Sequence, residues 1–449
     1  MRWTVARTQR RSTFATRALA ESFRADLLSA ARRGEAFDLQ TGLPISLSVQ
    51  EDADVSWYEH ACAYVDMKWA RAAGNSRRSI ADALATVTPA LLADGSTPPN
   101  RKLLRKALYA WAFNTSARKA GGPPEDCVGI TRWLERHTLP MSSLDDPVVI
   151  RRALDTLASK QDGTPTAANT FARKRAIFFN ALEYAVERDH LPTNPLRRVK
   201  WTAPKVADAV DPRILVDRRR AEAILAAAED LPTAMGPRMV AFYACIYYAA
   251  MRPAEVADLR ASDIKLPPLV RSNEEDREIE SGEWGELLLS HSSPALSTAW
   301  TEAGTRRESR QLKHRAKQDV RPVPCHPRLV ELLRRHLDEF GTAPDGRLFR
   351  SRYHNRPLSE STVWQVWHKA RAAALSPQEA ASALARRPYD LRHACVTTWL
   401  NAGVDPAQVA EWAGHSVAVL LRVYVRCIAG RDEVAKQRIE RALQKESNS

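Results

Sequence analysis

The sequence lacks the cysteine patterns that mark metal ribbons and disulfide scaffolds. Six cysteines occur in 449 residues, and none of them belongs to a CxxC pair: Cys62, Cys127, Cys245, Cys325, Cys395 and Cys427. That scatter argues against a zinc ribbon and against a disulfide framework. It favours reduced thiols, and therefore a cytoplasmic protein.

Long apolar runs and cofactor motifs are also missing. No stretch approaches the roughly 18 apolar residues that a membrane-spanning helix needs. The basic start MRWTVARTQRRST is not followed by the apolar segment of a secretory signal. The sequence has no G-x-x-x-x-G-K-[ST] loop and no cluster of carboxylates at metal-ligand spacing. We therefore expect no membrane partner, no metal and no other cofactor.

What the sequence has in excess is positive charge. Lysine and arginine number 67 against 53 for aspartate and glutamate, which gives a formal net charge of +14. A surface of that sign attracts polyanions, nucleic acid above all, with an anionic membrane as the rival partner. Since no spanning segment is present, nucleic acid is the expected partner.

The chain is too long for one compact core, so we predict three regions. Residues 1–50 form a basic segment with a helical pattern from Thr16 onward. Residues 55–200 are mostly helical, and residues 212–449 form a larger domain. Within it, WGELLLS (284–290) and DVRPVPC (319–325) are predicted strands among helices. The predicted fold class is mainly α with a small β-sheet or hairpin.

Two groups of basic side chains are candidates for contact with phosphates. One lies in the N-terminal segment and the other on the helix FARKRAIFFNALEYAVERDHL: Arg2, Arg7, Arg10 and Arg11, and Arg173, Lys174 and Arg175. For the second group, a solvated face over a hydrophobic core is an equally good interpretation.

The stretch AAMRPAEVADLRASDI, residues 249–264, contains the first candidate site residue. Arg252 follows an apolar helical pattern and precedes Pro253, so it is predicted to lie at a helix junction. Glu255 and Asp263 are close enough in sequence to brace its guanidinium group.

Two further stretches contain side chains suited to the same chemistry. RRPYDLRHACVTTWL, residues 386–400, contains Tyr389, Arg392 and His393, and AGHSVAVLLRVYVRC, residues 413–427, contains His415 and Tyr424. Taken singly, each of these residues is more often a capping, ion-pairing or core residue. Their order and spacing together favour function.

That order and spacing resembles the tyrosine recombinase, or phage integrase, family. The matching motifs are R-x-x-E at 252–255, Y-x-x-R at 389–392, G-H at 414–415 and a tyrosine nine residues after the histidine. The stretch LRHACVTTWLNAGVDPAQVAEWAGHS is also very similar to the sequence of that family's final helices. The resemblance covers residues of about 215–430 and extends more loosely to the helical middle and the basic N-terminal segment.

The resemblance implies a role for each matching residue. Arg252 and Arg392 would clamp the non-bridging oxygens of a phosphodiester, with Glu255 and Asp263 supporting Arg252. Tyr424 would attack phosphorus and form a 3′-phosphotyrosyl link. His415 would hydrogen-bond the phosphate or help to take the tyrosine proton. These assignments give the catalytic set Arg252, Tyr389, Arg392, His415 and Tyr424, to which a lysine must be added.

The lysine and the residue at 389 leave alternatives open. The family places a general-acid lysine on a β-hairpin, and RQLKHRAKQDVRPVP offers Lys313, the better match, and Lys317. The family usually has histidine where this chain has Tyr389, and a phenol of ordinary pKa about 10 is a poor base near neutral pH. His393 is commonly present in the family without being catalytic, so we expect it to be structural.

The resemblance also implies a core-binding helical domain, an α+β catalytic domain and an arm-binding N-terminal segment. The expected partners are double-stranded DNA attachment sites, three further copies in a tetramer on DNA, and an excision or directionality factor. The expected location is the bacterial cytoplasm, at the nucleoid. Two alternatives remain: a recombinase-fold DNA-binding regulator that has lost catalysis, and an enzyme similar to type IB topoisomerases.

Overall fold

A computed structural model describes residues 1–428 and 436, except 15, 40–41, 45–53, 161, 203, 205–208, 272–277, 303, 313–318 and 354. The chain divides into two compact units, Met1–Val206 and Ala207–Ser449. The three regions predicted from sequence remain a prediction.

The first unit begins with a β-hairpin followed by a helix. Strands β1 (Arg2–Val5) and β2 (Thr8–Arg11) pair antiparallel, and helix α1 spans Arg17–Arg32. Ala6 and Arg7, the two residues between the strands, both have positive φ, as two-residue turns of the type I′ class require. Trp3 anchors the hairpin, since its Nε1 donates to the carbonyl of Gly42 at 2.6 Å.

The rest of this unit is helical. Its helices are α2 (Trp57–Trp69), α3 (Gly74–Val87), α4 (Arg101–Arg105), α5 (Thr115–Ala120), α6 (Val128–His137), α7 (Pro147–Ala158) and α8 (Ala168–Glu187). A π-helical stretch, Lys106–Ala112, continues α4. A capping box at Ser56 starts α2, because the side chains of Ser56 and Glu59 each accept from the other's backbone N–H. Trp57, behind that cap, is fully buried and donates to Thr88 Oγ1 at 3.0 Å.

The second unit combines helices with small antiparallel sheets. Its helices are α9 (Arg218–Glu229), α10 (Gly236–Tyr248), α11 (Pro253–Val256), α12 (Pro327–Phe340), α13 (Glu360–Ala374), α14 (Pro377–Ala381), α15 (Asp390–Ala402), α16 (Pro406–Ala413) and α17 (Val417–Ile428). Its strands are β3 (Ile264–Lys265), β4 (Leu269–Arg271), β5 (Glu278–Glu280), β6 (Gly285–Leu289), β7 (His291–Ser292), β8 (Arg310–Gln311) and β9 (Arg321–Cys325).

Three of those strands form one sheet, in the order β3-β6-β9. β9 is an edge strand, which explains how it accommodates two prolines. Pro322 pairs with Leu288 and Pro324 with Glu286. A proline has no N–H to give to a ladder, so it is tolerated where the N–H would point away from the sheet.

The core of the second unit surrounds α10. Every described residue of α10 from Met239 to Tyr248 is buried, as expected of a helix that is apolar on all sides. Helices α9, α12 and α15 pack against it. Because α10 leads directly into Arg252, this core fixes the position of the first candidate site residue.

The predicted fold class is confirmed: the chain is mainly helical with small antiparallel sheets. The predicted strands at 284–290 and 319–325 correspond to β6 and β9. Within the described part of the chain, no helix combines the length and the apolar character that crossing a membrane would require.

Replacing a core tryptophan should test this packing. Trp367 on α13 is fully buried, and its Nε1 donates to the carbonyl of Ala385 at 3.0 Å. We expect Trp367→Ala to lower the free energy of unfolding by about 3–5 kcal/mol, measured by urea denaturation. Trp284, which is 56% exposed, provides the same substitution outside the core. Trp284→Ala should cost less than about 1 kcal/mol, and equal losses would contradict the assigned core.

Candidate active site

Arg252 lies at the junction between α10 and α11, as the sequence predicts. It is the N-cap residue of α11, with Pro253 at the first helical position, where a proline's missing N–H costs nothing. Its backbone N–H donates to Glu255 at 2.8 Å and its guanidinium to the same carboxylate at 2.7 Å. A second guanidinium nitrogen donates to the carbonyl of Gly414 at 2.7 Å. The predicted bracing by Glu255 is therefore present.

Glu255 is a buried carboxylate between two arginines. Besides Arg252, it accepts two hydrogen bonds from Arg321 on β9, at 2.7 and 3.1 Å. Both side chains of that pair are only 1% exposed. Burial alone would raise the pKa of Glu255, but the charges of Arg321 and Arg252 outweigh it and lower the pKa to about 2. The carboxylate is therefore ionised throughout the neutral range.

Gly414 is a glycine for two physical reasons. It ends α16 with a φ of +65°, in the left-handed region that glycine adopts without strain. A Cβ added there would lie 2.2 Å from Nη1 of Arg321 and 3.1 Å from Nη1 of Arg252. The backbone can therefore approach the two guanidinium groups only without a side chain at this position.

Arg392 projects from α15 into the interior and is fully buried. Its guanidinium donates to the backbone carbonyls of Ala250 and Ala413 and contacts Nε2 of His415 at 2.9 Å. Burial, and then the charge of Arg252, lower its pKa from the usual value. Arg252 and Arg392 donate to the adjacent carbonyls of Gly414 and Ala413, so both guanidinium groups lie at the C-terminal end of α16.

His415 follows the α16 cap. Its N–H donates to the carbonyl of Ala410 at 2.9 Å, and that of Gly414 donates to Glu411 at 3.1 Å, the pair of bonds that defines a Schellman turn. Burial, followed by the charges of Arg392 and Arg252, lowers the pKa of His415 to about 3. The imidazole is therefore neutral at pH 7, and its Nε2 accepts from Arg392.

Tyr424 on α17 is fully buried among apolar side chains that include Leu420, Val409 and Cys395. Its hydroxyl oxygen lies 2.9 Å from Nδ1 of His393. Burial is the main reason that its pKa is raised above the usual value for tyrosine. As a nucleophile, Tyr424 would have to leave this packed position to reach a phosphate.

The side chain of Tyr389 lies beside those of Arg392 and His393 at the first turn of α15. The Cζ atom of Arg392 is 6.0 Å from the centre of the Tyr389 ring. The ring of His393 meets Tyr389 edge to face, with centroids 5.0 Å apart and planes at 73°. The structure therefore brings Arg252, Tyr389, Arg392, His415 and Tyr424 into one connected cluster.

One expectation for the site residues needs correction. Asp263 does not brace Arg252 in the structure; its carboxylate accepts from the backbone N–H of Arg260 at 2.9 Å and caps a short 3₁₀ turn. Its position eight residues beyond Glu255 places it past α11, directly before β3. His393, which is expected to be structural, is the hydrogen-bond partner of the Tyr424 hydroxyl, a contact that is compatible with that role.

The basic candidates of the first unit differ in exposure. Arg2, Arg7, Arg11 and Arg173 are exposed, and Arg175 is half-buried. Arg10 is turned back on its own unit, since it donates to the carbonyl of Leu39 at 2.9 Å. The ammonium group of Lys174 is held by Thr86 at 2.9 Å and Asp82 at 3.2 Å. Arg10 and Lys174 thus have partners within the first unit, and their contact with phosphate stays a prediction.

Lys313 and Lys317 both lie outside the described residues. The choice between them as the hairpin lysine therefore stays as the sequence leaves it.

Sequence reasoning missed two residues of the cluster. Arg321 stands directly before the alternating prolines of β9, and an inward-facing arginine on a strand paired with apolar LLL is a signal for a buried acidic partner. His393 was visible beside Arg392, but only the fold brings α15 and α17 together at 2.9 Å.

Three buried nitrogens of this cluster have no hydrogen-bond partner among the described residues: Nε of Arg321, Nε of Arg392 and Nδ1 of His415. Since His415 accepts at Nε2, its Nδ1 bears the proton, and all three atoms are donors. Buried donors without partners are rare and call for an explanation. An anion bound in the cluster would supply one.

Comparison with known proteins identifies a matching family and related integrases. Residues 283–429 match the model of the phage integrase family. A putative prophage phiRv2 integrase of Mycobacterium tuberculosis is 26% identical over 309 residues, covering 67% of this chain and 69% of that protein.

Solved structures with a similar arrangement are more distant in sequence. One is the Tn1549 transposon integrase in complex with transposon right end DNA, with 16% identity, a TM-score of 0.49, and coverage of 73% of this chain and 97% of that chain. Another is a lambda integrase dimer bound to a core site, with 14% identity, a TM-score of 0.46, and coverage of 92% and 87%.

A methyl group added at position 414 should lower the free energy of unfolding more than one added at another helix-ending glycine with positive φ. Gly414→Ala adds a clash with Arg321 to the strain of positive φ, whereas Gly341 (φ +58°) ends α12 with no atom within 4 Å of an added Cβ. We expect Gly341→Ala to cost about 1 kcal/mol and Gly414→Ala a further 1–3 kcal/mol, roughly the cost of overpacking. Urea denaturation of both variants measures the difference, and equal costs would refute the close approach.

The ion pair of Glu255 should make stability depend on pH. Since the folded pKa is about 2 and the ordinary value is 4.5, the contribution is complete above about pH 4.5 and is lost as the pH falls toward 2. We expect Glu255→Gln to cost roughly 3–5 kcal/mol at pH 7, with a gap from the wild type that narrows between pH 4.5 and pH 3. The control is Glu331→Gln, which breaks a solvent-exposed pair with Arg328 and should cost under about 1 kcal/mol. A gap that stays constant with pH would contradict the assignment.

Proposed function

Because this chain belongs to the phage integrase family of tyrosine recombinases, we propose that it is a site-specific recombinase that cuts and rejoins DNA. The reaction passes through a 3′-phosphotyrosyl intermediate on Tyr424 and integrates or excises a phage or another mobile element. The observation that carries this proposal is the cluster in which Arg252, Arg392, His415 and Tyr424 meet, although up to 172 positions separate them in the sequence.

The two arginines are suited to a phosphodiester. A guanidinium group offers a planar fork of donors that stays charged at any working pH and fits phosphate oxygens. Charge accumulates on the non-bridging oxygens in the transition state, so donors fixed there lower the barrier, each by roughly 3–4 kcal/mol. The contacts of Arg252 with Glu255 and Gly414 hold its fork in place before any substrate binds. The Nδ1–H of neutral His415 adds a donor without adding charge.

Tyr424 acts as the nucleophile once α17 moves. In the structure the hydroxyl is sealed in the core, so cleavage requires a shift of α17 relative to α15 and α16. The amphipathic character of α17 supports such a shift. It presents Val417, Leu421 and Val425 to solvent at 41, 44 and 56% exposure, so only one side of the helix is packed. Displacement of α17 would therefore disrupt packing on one face only, because the helix is not buried on all sides.

The remaining roles follow from the same chemistry. Attack by the Tyr424 oxygen forms an O–P bond and breaks the bond from phosphorus to the 5′ oxygen, which leaves as a hydroxyl after protonation. We assign that proton to Lys313, with Lys317 as the alternative. Tyr389 completes the surroundings of the phosphate. The energy of the broken bond is kept in the phosphotyrosine, so religation to another strand needs neither ATP nor a metal.

Charge and the relatives support double-stranded DNA as the partner. The net charge of +14 suits a protein that neutralises many phosphates, and its binding should weaken steeply with salt. Exposed Arg2, Arg7 and Arg11 on the hairpin suit an accessory arm site, and Arg173 suits a contact from the helical middle. Solved relatives include the Tn1549 transposon integrase in complex with DNA and a lambda integrase tetramer bound to a Holliday junction. By analogy we propose four copies on two sites in the bacterial cytoplasm, with a directionality factor as a further partner.

A second function, DNA binding without catalysis, is favoured by one observation. Tyr424 is fully buried and position 389 is tyrosine, a combination compatible with a regulator that has lost cleavage. Relaxation of supercoils without recombination is the third possibility. All three differ in the products that they form from DNA.

Covalent capture tests the nucleophile. A duplex selected from a random pool by binding to this protein, and then nicked near its centre, should yield a denaturant-resistant protein–DNA adduct. Tyr424→Phe should abolish the adduct and leave duplex binding within about twofold, because only the attacking oxygen is lost. Tyr353→Phe, which alters a tyrosine that is 62% exposed, should match the wild type.

Each outcome of that experiment decides between functions. A wild type that binds the duplex and forms no adduct would establish the binding-only function. An adduct that survives Tyr424→Phe would refute the nucleophile. Recombination of two selected sites, against relaxation of a supercoiled plasmid alone, separates a recombinase from a topoisomerase.

A substrate with a changed leaving group can show which lysine of the hairpin is the general acid. We expect Lys313→Ala to slow cleavage by about 10²–10⁴-fold and Lys317→Ala to slow it far less. A substrate with sulfur in place of the 5′-bridging oxygen needs no proton to leave, so it should restore cleavage to the general-acid variant alone. Restoration in Lys317→Ala instead would transfer the role to Lys317, and restoration in neither would exclude both.

A further inference from the structure

His393 has no part in the reaction as assigned above, although it is the hydrogen-bond partner of the proposed nucleophile. Resting on the proposed function, we propose that His393 is the general base of this protein: it accepts the proton of the Tyr424 hydroxyl as that oxygen attacks phosphorus and returns it when the DNA is rejoined.

The geometry of the contact supports proton transfer. The Nδ1 atom of His393 and the hydroxyl oxygen of Tyr424 are 2.9 Å apart, within the range that a general base needs. The two rings approach with centroids 5.7 Å apart. A phenol donates its only proton to the lone pair of Nδ1, which places the imidazole proton on Nε2.

The other candidate bases are less suitable. The Nε2 atom of His415 is already an acceptor for Arg392 at 2.9 Å, and its Nδ1 is therefore protonated. Tyr389 is a phenol, and the oxygen of a neutral phenol accepts hydrogen bonds but is not basic enough to take a proton from another hydroxyl group. Among the described residues in contact with Tyr424, His393 is the one that presents a free lone pair to the hydroxyl.

The position of His393 links the base to the phosphate. His393 follows Arg392 on α15, so the base and the clamp share one rigid helix. Tyr389 packs edge to face against the His393 ring at 5.0 Å and fixes its orientation. Because α17 has to shift before attack, the proposal requires the Tyr424 hydroxyl to keep its hydrogen bond to His393 as it moves toward a phosphate at Arg392.

The surrounding charges make proton acceptance by His393 depend on bound DNA. Burial, followed by the charges of Arg392 and Arg387, lowers the pKa of His393 to about 4, so the ring is neutral at pH 7. A phosphodiester bound at Arg392 brings a negative charge that offsets the cation and favours the imidazolium form. The proton of Tyr424 is thus poorly accepted until DNA is in place.

The proposed step is balanced. The oxygen of Tyr424 forms a bond to phosphorus, its proton passes to Nδ1 of His393, and the 5′ oxygen leaves with the proton of the general acid. In the reverse step a 5′-hydroxyl attacks phosphorus, and the departing Tyr424 oxygen recovers its proton from the His393 imidazolium. No oxidant, metal or nucleotide takes part.

Two substitutions separate proton transfer from simple support. Asparagine at 393 can keep a hydrogen-bond acceptor near the Nδ1 position but cannot hold a proton at neutral pH, and phenylalanine keeps only the ring. We expect His393→Asn and His393→Phe each to slow adduct formation on the nicked duplex by about 10²–10⁴-fold, with duplex binding within about twofold of wild type. If support were the only role, Asn would restore the rate and Phe would not. The control His368→Asn alters a solvent-exposed histidine and should leave the rate unchanged.

A more acidic nucleophile supplies the decisive readout. Replacing Tyr424 by 3,5-difluorotyrosine lowers the pKa of the phenol and lessens its need for a base. We expect this replacement to raise the cleavage rate of His393→Asn by at least tenfold more than that of the protein with His393. Equal responses in the two backgrounds would overturn the proposal, because a structural role does not depend on the acidity of the nucleophile.

The outcomes distinguish this inference from the proposed function. A wild-type protein that binds the duplex without forming an adduct refutes the proposed recombinase, and the inference with it. A wild type that forms the adduct while His393→Asn cleaves at the same rate refutes the inference alone. Circular dichroism and urea denaturation of each variant exclude misfolding; if His393→Asn fails to fold, the comparison is made with His393→Gln.

Discussion

The carboxylate of Glu255 holds together three elements that are far apart in the chain. It accepts from Arg252 at the start of α11 and from Arg321 on the edge strand β9, and Arg252 in turn donates to Gly414 at the end of α16. A buried charge is tolerated only when its partners are charged and well placed. This requirement sets the register of β9 against α11 and the close approach of α16 to both arginines.

The same electrostatic arrangement determines the chemistry of the neighbouring groups. Arg392 is buried with its donors on backbone carbonyls. Burial, followed by the charge of Arg392, lowers the pKa values of His393 and His415 and keeps both neutral. The two imidazoles then differ in their hydrogen bonds, since His415 meets Arg392 through Nε2 and His393 meets Tyr424 through Nδ1.

The sequence is informative where a residue's role depends on its near neighbours. Pro253 after Arg252 predicted the helix junction, and Glu255 at three positions beyond it predicted the brace. Helix boundaries such as 327–340 and 406–413 follow from hydrophobic period and caps. The contacts of Arg321, His393 and Lys174 could not be predicted, because each depends on a partner from an element distant in sequence. The expectation that Asp263 braces Arg252 was wrong for a related reason. Closeness along the chain does not place two side chains on the same side of a turn.

The prolines of β9 bear on how copies of this protein can meet. Pro322 and Pro324 leave the outer edge of the three-stranded sheet without N–H donors at alternate positions, and a strand with no such donors is a poor template for another strand. Arg321 and Val323 are thereby shielded from competition for their pairing with β6. Addition of a further strand at this edge is therefore disfavoured, and the strand that holds Arg321 against Glu255 keeps its place in the sheet.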